Sequence, residues 1–177
     1  MPVSYKHKII FIHIPKCGGT TIDNLLDIID YSNQHGTLLQ LKSKLDPEIF
    51  NTFKKIAIVR NPYTQVLSEY VFRSRHNLRT PITFEEYIMK GSEYLTGTQS
   101  SYLYNERGNL YTIDTIYKFE NISACINNLN LITGKSGYLH LNKSTYDKSP
   151  DQYYTPELKE IVYNKYEEDF LNFNYEK

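Results

Sequence analysis

The sequence lacks tryptophan and has no excess of charge, with 20 Lys and Arg set against 20 Asp and Glu. A neutral chain has no general attraction for nucleic acid or an anionic membrane, so any anion site has to be local. Cysteine occurs only at Cys17 and Cys125. Such a pair makes neither a disulfide framework nor a metal-ligand spacing, and the expectation is two small buried fillers. Nowhere does an apolar run approach the ~20 residues a membrane helix needs, and "MPVSYKHKII" enters a strand-like run with no room for a signal-peptide core. A soluble, cytoplasmic chain is expected. In a secreted protein Asn121 and Asn142, in "NIS" and "NKS", would be glycan acceptors; in a cytosolic one they are simply polar. Repeats, low-complexity tracts and Gly/Ser linkers are also missing, so nothing marks a domain boundary.

What is present fits one domain over residues 1–177, with 40% apolar and 23% charged residues, as in ordinary globular proteins. The 17 tyrosines are expected to supply much of the core and rim. Strand and helix alternate. "KIIFIHI" (8–14) and "KIAIVR" (55–60) are short apolar runs of the kind that form buried parallel strands. In "TTIDNLLDIIDY", Ile22, Leu25, Leu26 and Ile29 form one helical face. Asp46 with Pro47, Asn61 with Pro62, Thr83 with Glu86, and Thr155 with Pro156 read as helix starts. "YTIDTIYKF" reads as a strand, "NERGN" as a turn, and "ENISACINNLNLITG" as a helix closed by Gly134. The expected fold is α/β, a single domain with a mainly parallel sheet flanked by helices.

Against that scaffold "FIHIPKCGGTT" (11–21) stands out. Gly18 and Gly19 turn the chain tightly after the first strand, and Thr20 and Thr21 open a helix. Backbone N–H groups and two hydroxyls thus converge where a phosphate-like oxyanion belongs. Lys16 precedes the glycines, the reverse of the P-loop order. It is placed to meet charge on a leaving group. A second anion site is suggested by "IAIVRNPYTQVLSEY", where Arg60 ends a strand and Ser68 lies on the helix that follows. Two such sites suit a nucleotide phosphorylated at both ends.

These two stretches resemble the 5′-phosphosulfate loop and the 3′-phosphate motif of the carbohydrate sulfotransferases of the heparan and chondroitin type. The step from Arg60 to Ser68 matches that of the motif, and "TQSSYL", "IYKFENI" and "YTPELKEIVYNKYEEDFLNFNY" resemble further family segments in the family's order. The resemblance implies an enzyme that moves a sulfuryl group from 3′-phosphoadenosine 5′-phosphosulfate (PAPS) to a hydroxyl or amine, leaving 3′,5′-diphosphoadenosine. It implies that Lys16 stabilises the leaving phosphate, and that Cys17, Gly18, Gly19, Thr20 and Thr21 hold the 5′ end. Arg60 and Ser68 would hold the 3′-phosphate. Cys17 stands where Thr is usual, and Asn61 where Asp is usual, a change expected to loosen the hydrogen bonding of the second motif.

An attacking hydroxyl must lose its proton, and His35 in "NQHGTLLQL" resembles the family's base position, with Glu69 or Glu120 in reserve. The cluster "RSRHNLR" brings Arg73, Arg75, His76 and Arg79 together. It suits an acidic sugar as well as it suits the negative end of a helix. Gln99, in the Gln-containing segment, joins Arg73, Arg75 and His76 as a candidate for the acceptor, which is expected to be a glycan or another small hydroxyl compound. Tyr102, Tyr104, Tyr153 and Tyr154 either stack on sugars or are surface aromatics. No metal is expected. Two rivals remain open: a kinase-like P-loop enzyme, which should show glycines before its lysine and an acidic metal-binding residue, and a nucleotide- or glycan-binding module without turnover.

Overall fold

The two apolar runs pair side by side as parallel strands. In the computed structural model a 4-stranded sheet has the order β1 (Val3–Ser4), β2 (Ile9–Ile12), β3 (Lys54–Val59), β4 (Thr115–Lys118). β1 runs antiparallel to β2, with Val3 opposite Ile10. β2–β3 and β3–β4 are parallel, with Phe11 opposite Ile56 and Ile58 opposite Tyr117. β2 is buried throughout and β3 after its first residue, whereas edge strand β4 alternates between half-buried and exposed. A central strand is covered on both faces and is apolar at nearly every buried position, Lys55 of β3 being the exception, and an edge strand need be so only at alternate ones.

The structure describes residues 1–76, 82–91, 95–135 and 149–177, with His76 in its backbone alone. Arg79, His140 and Asn142 therefore lie outside the described residues. The helices are α1 (Gly19–Leu25), α2 (Leu38–Lys44), α3 (Pro47–Thr52), α4 (Pro62–His76), α5 (Phe84–Met89), α6 (Ile122–Thr133) and α7 (Pro156–Asn172). They fall into two compact units, Met1–Val59 with Gln99–Asn142 and Arg60–Thr98 with Lys143–Lys177.

The first unit holds the sheet with α1, α2, α3 and α6, and α1 packs on α6. Both cysteines are buried here, as the composition implied, and burial pushes the Cys125 thiol up to about 12. The helix starts at Asp46 and Pro47 form as read, with Asp46 accepting from the Glu48 and Ile49 amides. α1 is shorter than its apolar spacing suggested. Asp27 adopts a left-handed φ of 56°, the Ile28 amide reaches back to the Asp23 carbonyl at 2.9 Å and the Asp27 amide to Asn24 at 3.4 Å. This is a Schellman closure with Asp at the left-handed position. It sends Ile28 inward at 2% exposure and leaves Ile29 at 87%, so Ile29 is not part of the buried face. Lys6 and Lys135 hold the Asp27 side chain at 3.2 and 2.6 Å.

The second unit packs α4 and α5 against α7. Val66, Leu67, Phe84, Tyr87, Val162, Tyr166 and Phe170 share its core. Two of the many tyrosines are thus deep inside. The Tyr166 hydroxyl donates to the Thr96 carbonyl at 3.0 Å, as a buried phenol requires. The capping box at Thr83 and Glu86 and the cap at Thr155 both form.

Candidate active site

The loop between β2 and α1 owes its shape to backbone conformations rare outside glycine. Lys16 has φ 63° and Gly18 φ 80°. A Cβ on Gly18 would also stand 2.8 Å from Ile122 Cδ1 and 3.0 Å from a Phe119 ring carbon, so conformation and space both demand glycine. Strain of this kind at non-glycine Lys16 persists only where the surroundings dictate it, and it concentrates at functional sites. Cys17 turns inward, 1% exposed, and its Sγ donates to the Gln99 side-chain oxygen at 3.4 Å. The Cys-for-Thr change therefore sits on the buried side of the loop, and Gln99, 0% exposed, is its partner there. Lys16, Gly18 and Thr20 are half-buried, while Gly19 and Thr21 are buried. The first turn of α1 carries no acidic residue. An ammonium, two hydroxyls and backbone amides without a carboxylate among them are a donor set for an oxyanion, so the residues present fit the phosphosulfate end of PAPS.

His35 lies well past α1, just before Thr37 caps α2. It is exposed, and its Nδ1 is 3.0 Å from the His13 carbonyl oxygen. A carbonyl only accepts, so Nδ1 must donate, and the neutral ring then carries its lone pair on Nε2. The two rings meet edge to face, with centroids 4.6 Å apart. His13 itself is 4% exposed, its Nδ1 within 3.0 Å of the buried Asp23 carboxylate. Sequence reasoning placed His13 merely in a strand and passed over Asp23. The available signal was an acidic residue set among Ile22, Leu25 and Leu26 on the inward face of α1.

In the second unit, Arg60 and Ser68 are both buried, at 8% and 3% exposure. Arg60 Nε donates to Thr64 Oγ1 at 2.9 Å, and that hydroxyl donates to the Asn61 carbonyl at 3.1 Å. Asn61 was expected to loosen this segment. Instead its side-chain oxygen accepts the Tyr63 amide at 2.9 Å, because an amide oxygen caps a helix as a carboxylate does. Further along α4, Arg73 Nε bonds Glu69 at 2.7 Å. Burial is the largest single influence on Arg73 and opposes its charge, but the Glu69 hydrogen bond and charge, with Tyr87 and Tyr166, together outweigh it and raise the guanidinium above its usual value. Glu69, a reserve base, is thus engaged by a cation. Arg75 is exposed, and His76 ends α4. Glu120, the other reserve base, is exposed in the 3₁₀ turn Phe119–Asn121 after β4.

The model of the sulfotransferase family matches residues 1–129 of this chain. The chain belongs to the sulfotransferase family. The matched span contains the 11–21 loop, Arg60, Ser68, His35, Gln99 and the whole sheet, and ends before α7. No curated protein and no solved structure is significantly similar to the chain. Among the described residues no helix is long and apolar enough to cross a membrane.

Proposed function

We propose that this sulfotransferase takes its sulfuryl group from PAPS and passes it in line to a hydroxyl or amine of a carbohydrate acceptor. The observation that carries the reading is the His35 Nδ1 contact with the His13 carbonyl, which leaves the basic lone pair on a defined atom, Nε2. When bound, PAPS supplies an activated sulfuryl group on a phosphate leaving group. His35 Nε2 accepts the acceptor's proton as the new bond to sulfur forms. Lys16 offers its ammonium to the charge that grows on the leaving phosphate oxygen, and the loop from Cys17 to Thr21 holds the 5′ end through amides and hydroxyls. Arg60 and Ser68 take the 3′-phosphate. The side chains supply the positive charge themselves, and the reaction runs without a metal. Arg73, Arg75 and His76 serve the acceptor, and the arginine forks favour a sugar bearing carboxylate or sulfate groups. Gln99, 0% exposed and bonded to Cys17, is withdrawn from the acceptor and supports the loop instead.

The test is incubation of the protein with sulfur-labelled PAPS and a panel of acidic and neutral glycans, lipids and phenols. Label moving to a glycan, and not in the His35→Ala variant, supports the reading. Label moving only to a lipid or phenol overturns the carbohydrate assignment. Absence of transfer to every class overturns the assignment of turnover.

A further inference from the structure

Asp23 is 0% exposed, and a carboxylate taken out of water has to be held by partners. One of its oxygens, Oδ2, receives both contacts. It lies 3.0 Å from His13 Nδ1, at ion-pair distance but out of line for a hydrogen bond. It also accepts from Gln34 Nε2 at 2.8 Å. Oδ1 has no hydrogen-bond partner among the described residues.

Those two partners flank the anchorage of His35. His13 supplies the carbonyl that receives the His35 Nδ1–H, and its ring meets the His35 ring edge to face. Gln34 precedes His35 in the chain and belongs to a segment without regular secondary structure. Such a segment holds a side chain only as firmly as its cross-links do. Asp23, on α1, thus grips the end of β2 and the 34–35 loop through one oxygen.

We propose that Asp23 is a positioning residue for the base. It fixes the His13 carbonyl and the loop between which His35 sits, so that the neutral imidazole keeps its proton on Nδ1 and its lone pair on Nε2. A neutral imidazole without that grip exchanges between two tautomers, and one of them carries the lone pair on the wrong nitrogen. The relevance to turnover rests on His35 being the base; the tautomer control does not.

The experiment is long-range proton–nitrogen correlation NMR on the full chain with nitrogen-labelled histidine, at a pH where the ring is neutral. The His35 signals are assigned by their loss in His35→Ala. The parent should show a protonated Nδ1 and an unprotonated Nε2. In Asp23→Asn, which keeps the shape and removes the charge, and in Gln34→Ala, the two nitrogen shifts should move toward each other as the tautomers exchange. Gln34 is half-buried, so its variant decides the matter alone if Asp23→Asn fails to fold. A single Nδ1–H tautomer retained in either folded variant overturns the proposal. Parental turnover in His35→Ala would overturn the base assignment instead, while the tautomer result still judges Asp23.

Discussion

The His13 ring occupies the space that a side chain on Gly19 would need: a Cβ built there stands 2.1 Å from His13 Nε2. The ring cannot step aside cheaply, because it is 4% exposed and packed against the rings of Phe11 and His35, with centroids 5.4 and 4.6 Å away. Gly19→Ala gains helix propensity of at most about 1 kcal/mol, against an overpacking cost of about 1–3 kcal/mol. The net expectation is destabilisation, read as a lower urea midpoint with an unchanged slope. His13→Ala should relieve the clash, so the double variant should be more stable than the two single losses summed. Strict additivity would show that the ring is not what excludes the side chain.

Arg60, whose Nε donates to Thr64, is proposed to take the 3′-phosphate. Calorimetry should show 3′,5′-diphosphoadenosine binding at least tenfold more tightly than 5′-AMP, since a charge-assisted contact contributes ~1.5–3 kcal/mol and tenfold is about 1.4 kcal/mol. Arg60→Ala should erase most of that gap. Equal affinities in the parent, or a preference for ATP with magnesium, would send the assignment back to a kinase-like enzyme.

The local signals of the chain were readable where the chemistry is local. β2 and, from Ile56 on, β3 are apolar runs because parallel strands are covered on both faces, and the starts at Asp46, Thr83 and Thr155 follow from side chains that bond amides two or three residues on. β1 was not legible, since two residues become a strand only by pairing with Ile9 and Ile10. α2 went unread although its box, Thr37 with Gln40, lies in plain sight; so short an apolar pattern does not stand out from a loop. The end of α1 misled because its closure depends on Asp27 turning left-handed, a conformation that Asp tolerates but does not announce. The candidate site divides in the same way. Lys16, the glycines, Arg60 and Ser68 are marked by spacing along the chain, whereas Asp23 acquires meaning only when folding brings His13 and Gln34 to it.

Asp27 links acid to stability. Hydrogen bonds from Lys135 and then Lys6 hold its carboxyl down at about 2, from an ordinary value of 3.8. A depressed folded value contributes stability that is present above the unfolded value and lost as pH falls through the folded one, here between about 4 and 2. The side chain is 41% exposed, so solvent screening limits the effect to under ~1 kcal/mol. Asp27→Asn keeps a residue that tolerates the left-handed φ and removes only the charge. Its urea midpoint should lie slightly below the parent's near pH 6, and the two should converge near pH 2. A gap that persists in acid would assign the loss to packing.

Lys16 and His35 should separate binding from chemistry. The proposed role of Lys16 is to meet charge that develops on the leaving oxygen, and that of His35 to take a proton that moves only during attack. Interactions made mainly in the transition state lower turnover when removed and leave ground-state affinity nearly intact. His35→Ala should therefore cut turnover ~10²–10⁴-fold, the range for a general base, with 3′,5′-diphosphoadenosine affinity close to the parent's. Lys16→Ala should cut turnover strongly and nucleotide affinity modestly, because in the proposed role its ammonium also meets the ground-state anion. Once an acceptor is in hand, parental turnover should fall toward acid pH as the Nε2 lone pair is protonated, and that limb should vanish in His35→Ala. Parental turnover with the acid limb intact in His35→Ala would remove it as the base. Glu120, exposed beside β4, would then be tested before Glu69, which the Arg73 fork already holds at 2.7 Å.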